Sequence, residues 1–139
     1  MNAGDPAETA FDTLYRISSI VGQTEDSQEA LELILGEIMK AFNAATASIS
    51  LVNHDTRCLE IAASLGLPEH CLDLQLPLGK GVTGWVALHG KPLLVEDVSL
   101  DSRYFPVNKS IHSELAAPME EAGQVIGVVS IDSEEPGFF

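Results

Sequence analysis

The sequence predicts an α+β fold, with helices first and strands after them. Apolar residues recur at helical spacing as far as Phe42. From Ala45 onward, apolar and polar residues alternate in short runs, which turn-forming clusters such as "NHDTR" and "EAG" separate. Two helices followed by about five or six strands, with irregular helical inserts between them, is the element order of an α+β domain.

The two helices are predicted from their caps and their apolar stripes. The stretch Asp5–Glu8 combines a capping Asp, Pro at the first helical position and Glu three residues after the cap. Asp26 and Glu29 open the second helix in a similar way. The stripe of the first helix, which stops before Gly22, consists of Phe11, Leu14, Ile17, Ile20 and Val21. The stripe of the second helix consists of Leu31, Ile34, Leu35, Ile38 and Phe42.

The strands begin with a hairpin. Ala45–Asn53 alternates, with Ala47, Ile49 and Leu51 on one face, and Cys58–Ser64 returns after the "NHDTR" turn. The remaining predicted elements are a short strand within Leu72–Leu78, a short helix over Val82–His89, a strand over Pro92–Glu96, a long loop over Ser99–His112, and strands over Ser113–Glu120 and Gln124–Asp132.

The size and charge of the chain exclude several classes of function. Its 139 residues suit one domain with a full hydrophobic core, and we find no linker or repeat that divides residues 1–139. A net charge of −14, with no basic patch, argues against direct binding to nucleic acid. No apolar run approaches the ~20 residues that cross a bilayer. Because the chain has two cysteines and begins without a signal peptide, we expect a cytoplasmic protein without membrane attachment.

The glycine-rich stretch Gly79–Gly84 (GKGVTG) does not have the spacing of a phosphate-binding loop. We interpret Gly79 and Gly81 as turn residues with unusual backbone dihedrals. Gly84 is interpreted as a position where the short helix lies close to the sheet. Trp85, which follows it, either closes a pocket or simply packs.

Four segments, taken in this order, resemble the GAF domain, the small-molecule sensor module of many cytoplasmic signalling proteins. They are the capped helices with "ASISLVN", then "GKGVTGWVALHGKPLLVEDVSLDSRY", "SELAAPM" and "GQVIGVVSIDS". The resemblance covers residues 8–139. It implies a central antiparallel sheet of about six strands with the N-terminal helices on one face. Loops and short helices, here called the cover, lie on the other face and enclose a ligand pocket.

The resemblance also implies a function. We expect a non-catalytic regulatory domain that binds an unidentified small molecule, without a cofactor or metal. It implies a homodimer formed through terminal helices, for which the stripe from Phe11 to Val21 is either the seam or ordinary core. The family normally continues into another helix after "SIDS", so we expect a fragment that lacks this helix and an output domain. That output domain is a histidine kinase, a cyclic-dinucleotide enzyme or a transcription activator. The alternatives are an enzyme of the free methionine sulfoxide reductase type and a structural dimerisation module with a filled pocket and no ligand.

Candidate ligand-binding residues come from two strands and from the cover. Alternation places Ser130 and Asp132 on one face of their strand, and Glu114 on the face opposite Leu115. Polar groups between apolar walls suit a small polar metabolite, whereas in a collapsed pocket the carboxylates are surface groups. The candidates are Trp85, Asp97, Tyr104, Phe105, Glu114, Ser130 and Asp132.

Some members of the family are enzymes that reduce free methionine sulfoxide, and this sequence departs from their pattern. Those enzymes carry cysteines before the Pro-x-Gly turn and within the glycine segment, where this chain has Asp73 and Thr83. Cys71 lies two positions from the first of these places. Because no thiol stands at either place, the nucleophile is missing, and we expect no catalytic residues.

The rest of that enzyme pattern is matched only in part. Glu114 and Asp132 match its acidic residues, whereas Ser130 replaces a further Asp. Cys58 and Cys71 are interpreted as buried small hydrophobic residues. The four histidines show no metal-ligand spacing, which argues against a metal site.

Overall fold

The structure has the α+β order that the sequence predicts. This computed structural model describes residues 27–104 and 110–139. Its helices and strands are α1 (Ser27–Phe42), β1 (Thr46–Asn53), β2 (Cys58–Leu65), β3 (Gln75–Pro77), α2 (Gly81–His89), β4 (Leu93–Val95), β5 (Ser113–Glu121) and β6 (Gln124–Ser133). Short 3₁₀ turns lie at Glu69–Cys71 and Val98–Leu100. The helix predicted to begin near Asp5 lies outside the described residues.

The strands form an antiparallel sheet, which confirms the predicted fold class. Within the described residues, six strands pair in the order β3-β2-β1-β6-β5-β4, and every neighbouring pair is antiparallel. The predicted hairpin joins β1 to β2. Its turn is fixed by Asn53, whose Oδ1 accepts hydrogen bonds from the backbone N–H groups of Asp55 and Thr56 at 3.0 and 3.3 Å.

Helix α1 packs on one face of the sheet through most of its predicted apolar stripe, whereas Phe42 at its end is 49% exposed. Leu35 is fully buried in a cluster with Ala47, Ile49, Ala63 and Ile131. Burying one such leucine side chain contributes about 1.5–3 kcal/mol. The period of two in β1 turns Ala47 and Ile49 toward α1 and places its serines on the opposite face.

Helix α2 covers that opposite face. Val82 and Val86 of α2 are buried in a second cluster with Leu59, Ala116 and Val128, which come from β2, β5 and β6. The central strands are thus packed on both faces, as the resemblance implied.

Glycines allow α2 to lie close to its neighbours. Gly79 and Gly81 have φ values of 89° and 72°, in the left-handed region that favours glycine. A Cβ atom on Gly84 would lie 2.8 Å from the carbonyl oxygen of Pro77 in β3. The interpretations of these three glycines as turn and close-approach residues are confirmed.

Two edge strands are shorter than their predicted segments. The segment predicted over Leu72–Leu78 forms only Gln75–Pro77, because its pairing with β2 is confined to Cys58–Glu60. Before it, the backbone turns, with the N–H of Leu74 bonded to the carbonyl of Cys71 at 3.3 Å. Strand β4 omits Pro92, which lacks the N–H that a ladder needs. No helix within residues 27–104 and 110–139 combines the length and apolar character needed to cross a membrane.

Candidate functional site

A cavity of about 90 Å³ lies between the sheet and the cover. One wall is apolar and comes from β2, β3 and the segment between them; it consists of Leu59, Ile61, Leu67, Cys71, Leu74 and Leu76. The other wall is polar and comes from the three strands β1, β5 and β6; it consists of Ser48, Ser50, Glu114, Ser130 and Asp132. Thr83 of α2 also lines the cavity, so the cover contributes to it directly.

Strand register brings the polar side chains together. Glu114 on β5 stands directly opposite Asp132 on β6, and Asp132 also stands opposite Thr46 on β1. Ser48 is likewise paired with Ser130. Directly opposite residues project on the same face of a sheet, with Cβ atoms ~5 Å apart. Two carboxyl groups therefore meet at the polar end of the cavity.

The Glu114 carboxyl group is buried and only partly satisfied. Glu114 is only 8% exposed. The Ser130 hydroxyl donates to Oε1 at 3.1 Å, whereas Oε2 has no hydrogen-bond partner among the described residues. Burial, and secondly the charge of Asp132, raise the pKa of Glu114 well above its usual value. At neutral pH this group therefore retains a proton more readily than an exposed glutamate.

The Asp132 carboxyl group is equally buried but better satisfied. The Thr46 hydroxyl donates to Oδ2 at 2.7 Å. Burial raises the pKa of Asp132 to about 6, and the Thr46 hydrogen bond opposes this rise by favouring the charged form. The two environments differ in the hydrogen bonds that favour the charged form, and they raise the pKa of both carboxyl groups of the pair.

Three of the predicted site residues, Glu114, Ser130 and Asp132, lie together in this cavity. Trp85 does not line it. Its ring stacks on His89, with centroids 4.4 Å apart and an angle of 23° between the ring planes. The participation of all these residues in ligand binding stays a prediction.

Asp97 and Tyr104 also lie away from the cavity lining. Asp97 caps the 3₁₀ turn that follows it, accepting hydrogen bonds from the backbone N–H and the hydroxyl of Ser99 at 3.0 and 2.6 Å. Tyr104 packs against the apolar cluster under α2. Phe105 lies outside the described residues. Asp97 therefore has a structural role as a cap, and Tyr104 a role in packing.

Sequence reasoning missed several lining residues. Ser48 and Ser50 could have been found from β1, because they occupy the face opposite Ala47 and Ile49. Thr83 lies within the glycine segment, but its direction depends on how α2 is rotated. No sequence signal distinguishes it from its neighbours.

The two cysteines differ in environment. Cys71 is 1% exposed, as predicted, and burial raises the pKa of its thiol. Cys58 is half-buried, so the interpretation of a buried residue is wrong there; its Sγ lies 3.6 Å from the carbonyl oxygen of Thr56 in the open hairpin turn. Across residues 27–104 and 110–139, no cluster of three or more His, Cys, Asp or Glu residues is arranged to hold a metal ion.

The chain is similar to parts of larger regulatory proteins. Nif-specific regulatory proteins of Azospirillum lipoferum and Azospirillum brasilense are each 26% identical to it over 128 residues. The match covers 86% of this chain and 20% of each relative, so the chain spans about one fifth of their length.

Solved structures share the fold. Free methionine-R-sulfoxide reductase from Neisseria meningitidis, solved in complex with its substrate, superposes with a TM-score of 0.88 at 26% identity, over 100% of this chain and 81% of that chain. The GAF domain of an Acinetobacter phosphoenolpyruvate-protein phosphotransferase gives a TM-score of 0.82 at 23% identity, over 91% and 77% of the two chains. A family model described as the GAF domain matches residues 24–139, which is most of the sequence. The chain belongs to the GAF domain family.

Proposed function

We propose that this GAF domain is the ligand-sensing, non-catalytic regulatory part of a larger signal transduction protein. The observation that carries the proposal is the buried Glu114 Oε2 atom, which lacks a partner among the described residues at the edge of a cavity. Leaving a buried polar atom unpaired costs roughly 1–3 kcal/mol. A bound ligand that donates a hydrogen bond to this atom removes that cost.

The cavity walls define the chemistry of the proposed ligand. Its polar end offers Glu114, Asp132 and serine hydroxyls, which together suit an ammonium or another donor-rich group. Its opposite wall is aliphatic, so it suits a short apolar chain on the ligand. The volume of about 90 Å³ is far below the ~300–1,000 Å³ of pockets for drug-sized molecules. We infer a small amine or amino acid as the ligand class.

The proposed mechanism is a population shift. Because Thr83 lines the cavity, a ligand there contacts α2 and favours one packing of the cover over another. Terminal helices then carry that difference to an output domain in the parent protein. The similarity to about one fifth of two Nif-specific regulatory proteins supports this arrangement. A homodimer formed through the terminal helices and a cytoplasmic location belong to the same proposal.

A thermal-shift series tests the ligand class. We expect small primary amines and amino acids to raise the Tm, because a ligand at 100 times its Kd stabilises by about 2.7 kcal/mol. Analogues that carry a carboxylate or a methyl group in place of the amine serve as matched probes, and we expect no rise from them. Glu114→Gln should weaken the response to the amines. If no amine raises the Tm at millimolar concentration, the structural dimerisation module is the better account.

A reductase for free methionine sulfoxide is the second candidate. It is favoured by the position of Cys71, whose thiol lines the same cavity as Glu114 and Asp132. It is also favoured by the similarity to the Neisseria meningitidis reductase. Against it, burial raises the pKa of the Cys71 thiol, which lowers its thiolate fraction at neutral pH.

Turnover separates the two candidates. The sensor proposal expects no thiol-dependent reduction of free methionine sulfoxide by the purified chain. Turnover that is lost in Cys71→Ser and retained in Cys58→Ser would replace the sensor with the enzyme.

A further inference from the structure

Helix α2 is joined to the following loop by an aromatic and ionic contact. The guanidinium carbon of Arg103 lies 5.1 Å from the centroid of the Trp85 ring, within the ~6 Å range of cation–π attraction. Trp85 also stacks on His89, one helical turn further along α2. The His89 Nδ1 atom is hydrogen-bonded to the carbonyl oxygen of Trp85 at 2.9 Å. The indole ring is therefore held by partners from two different segments.

Asp101 fixes the orientation of Arg103. Its Oδ2 accepts from Arg103 Nη2 at 2.6 Å and its Oδ1 accepts from Nε at 2.9 Å, a two-point carboxylate–guanidinium pair. Oδ1 also accepts from the backbone N–H of Arg103 at 2.9 Å. On the other side, the N–H of Asp101 bonds the carbonyl of Val98, which is buried in the same cluster as Val82 and Val86 of α2.

This contact lies on the element that closes the cavity. Thr83, two residues before Trp85, faces the cavity, so opposite sides of α2 contact the cavity and Arg103. The loop that carries Asp101 and Arg103 also acts electrostatically on the cavity. The charge of Asp101 contributes to the raised pKa of Glu114.

We propose that the Trp85–Arg103 contact holds α2 closed over the cavity, so that Arg103 controls access to the cavity. Arg103 is a positioning residue, since it acts through Trp85 and does not line the cavity. The inference rests on the proposed function only in taking the cavity as a ligand site. Access itself is measurable without any ligand.

The Cys71 thiol provides the measurement. It is 1% exposed and lines the cavity, so its alkylation rate reports how often the segments around the cavity move apart. In a Cys58→Ser background, iodoacetamide alkylates Cys71, forming a thioether and releasing iodide. The experiment compares alkylation rates at about pH 8.5, where a useful fraction of thiolate is present.

Arg103→Met and Lys91→Met are the matched variants. Both remove one positive charge, but Lys91 is exposed beyond the end of α2, whereas Arg103 lies over the Trp85 ring. We expect Arg103→Met to alkylate roughly threefold to tenfold faster than the parent protein, and Lys91→Met to match the parent. Trp85 is the only tryptophan in the chain, so its emission should change in Arg103→Met alone.

A urea series separates opening of the cover from global unfolding. Local opening exposes little surface, so alkylation of Cys71 through local opening should depend weakly on urea. Alkylation through global unfolding should show the full urea dependence of unfolding. Equal rates for the two variants would overturn the proposal. So would an acceleration that shows the full urea dependence. If no amine or amino acid in the thermal-shift series raises the Tm, the proposed function is contradicted. The alkylation rates expected for the two variants do not depend on that result.

Discussion

At the scale of single residues, the paired carboxyl groups of Glu114 and Asp132 distinguish this cavity from an ordinary gap in the packing. Both are 8% exposed; the Thr46 hydroxyl donates to Asp132 at 2.7 Å and the Ser130 hydroxyl to Glu114 at 3.1 Å. Natural cores rarely bury two acids side by side unless a partner or a proton compensates them. The raised pKa of Glu114 favours a compensating proton in the free protein, and we propose that a donor on the ligand compensates the group in the complex.

Asp132→Asn should reveal this arrangement through pH. Because the pKa of Asp132 is raised to about 6, the folded state binds a proton more tightly than the unfolded chain, whose aspartate pKa is ~3.9. The stability contributed by this group therefore falls as pH rises from about 4 through about 6. Asparagine does not titrate, so Asp132→Asn does not lose this stability as pH rises. We compare the free energy of unfolding of Asp132→Asn with that of wild type at each pH. We expect the difference, variant minus wild type, to rise by about 1–3 kcal/mol from about pH 4.5 to about pH 7.5.

Urea unfolding at the two pH values measures the effect. Asp73→Asn makes the same chemical change at an exposed position, and its difference from wild type should stay flat. Among the described residues, Glu114 on β5 stands opposite Asp132, Cys71 lines the same cavity, and the charge of Asp101 in the loop acts on Glu114. If Asp132→Asn shows the same pH dependence as Asp73→Asn, Asp132 has an ordinary pKa.

At the scale of elements, the placement of α2 decides whether the cavity is covered. Gly84→Ala would put a methyl group 2.8 Å from the carbonyl oxygen of Pro77, which belongs to the backbone and cannot rotate away. Helix α2 must shift, and we expect a loss of about 1–3 kcal/mol in the free energy of unfolding.

Gly36→Ala is the matched control. It lies in α1, and nothing lies within 4 Å of the added Cβ atom. Alanine is the better helix former, so we expect a gain of about 0.5–1 kcal/mol. Chemical denaturation of both variants gives the signs directly. Equal effects of the two substitutions would contradict the close approach of α2.

The elements were largely predictable, and the rest of the site was not. The period of two in a strand is fixed, so alternation alone placed Glu114, Ser130 and Asp132 on the cavity face. On α2, Trp85 was predicted from its size, yet Thr83 lines the cavity, because the rotation of a short helix depends on packing. Asp97 and Tyr104 lie in turns, where side-chain direction follows local backbone geometry that spacing does not encode.

At the scale of the whole molecule, the chain combines an acidic exterior with a sheet covered on both faces. Its net charge of −14 favours accumulation of cations near the surface, in accord with a cationic ligand. Helix α1 on one face and the cover on the other are linked through the central strands, so a change at the cavity has a physical route to the helical face. Dimerisation through the stripe from Phe11 to Val21 stays a prediction.

Native mass spectrometry of the purified chain tests the central claim most directly, since it reports bound molecules and oligomeric state together. The account predicts that the protein retains a small amine or amino acid, and that Glu114→Gln, purified in the same way, loses it. The exposed change Glu69→Gln should retain it. A wild-type protein without any bound molecule, and without any mass addition after incubation with the amine series, would contradict ligand sensing at this cavity.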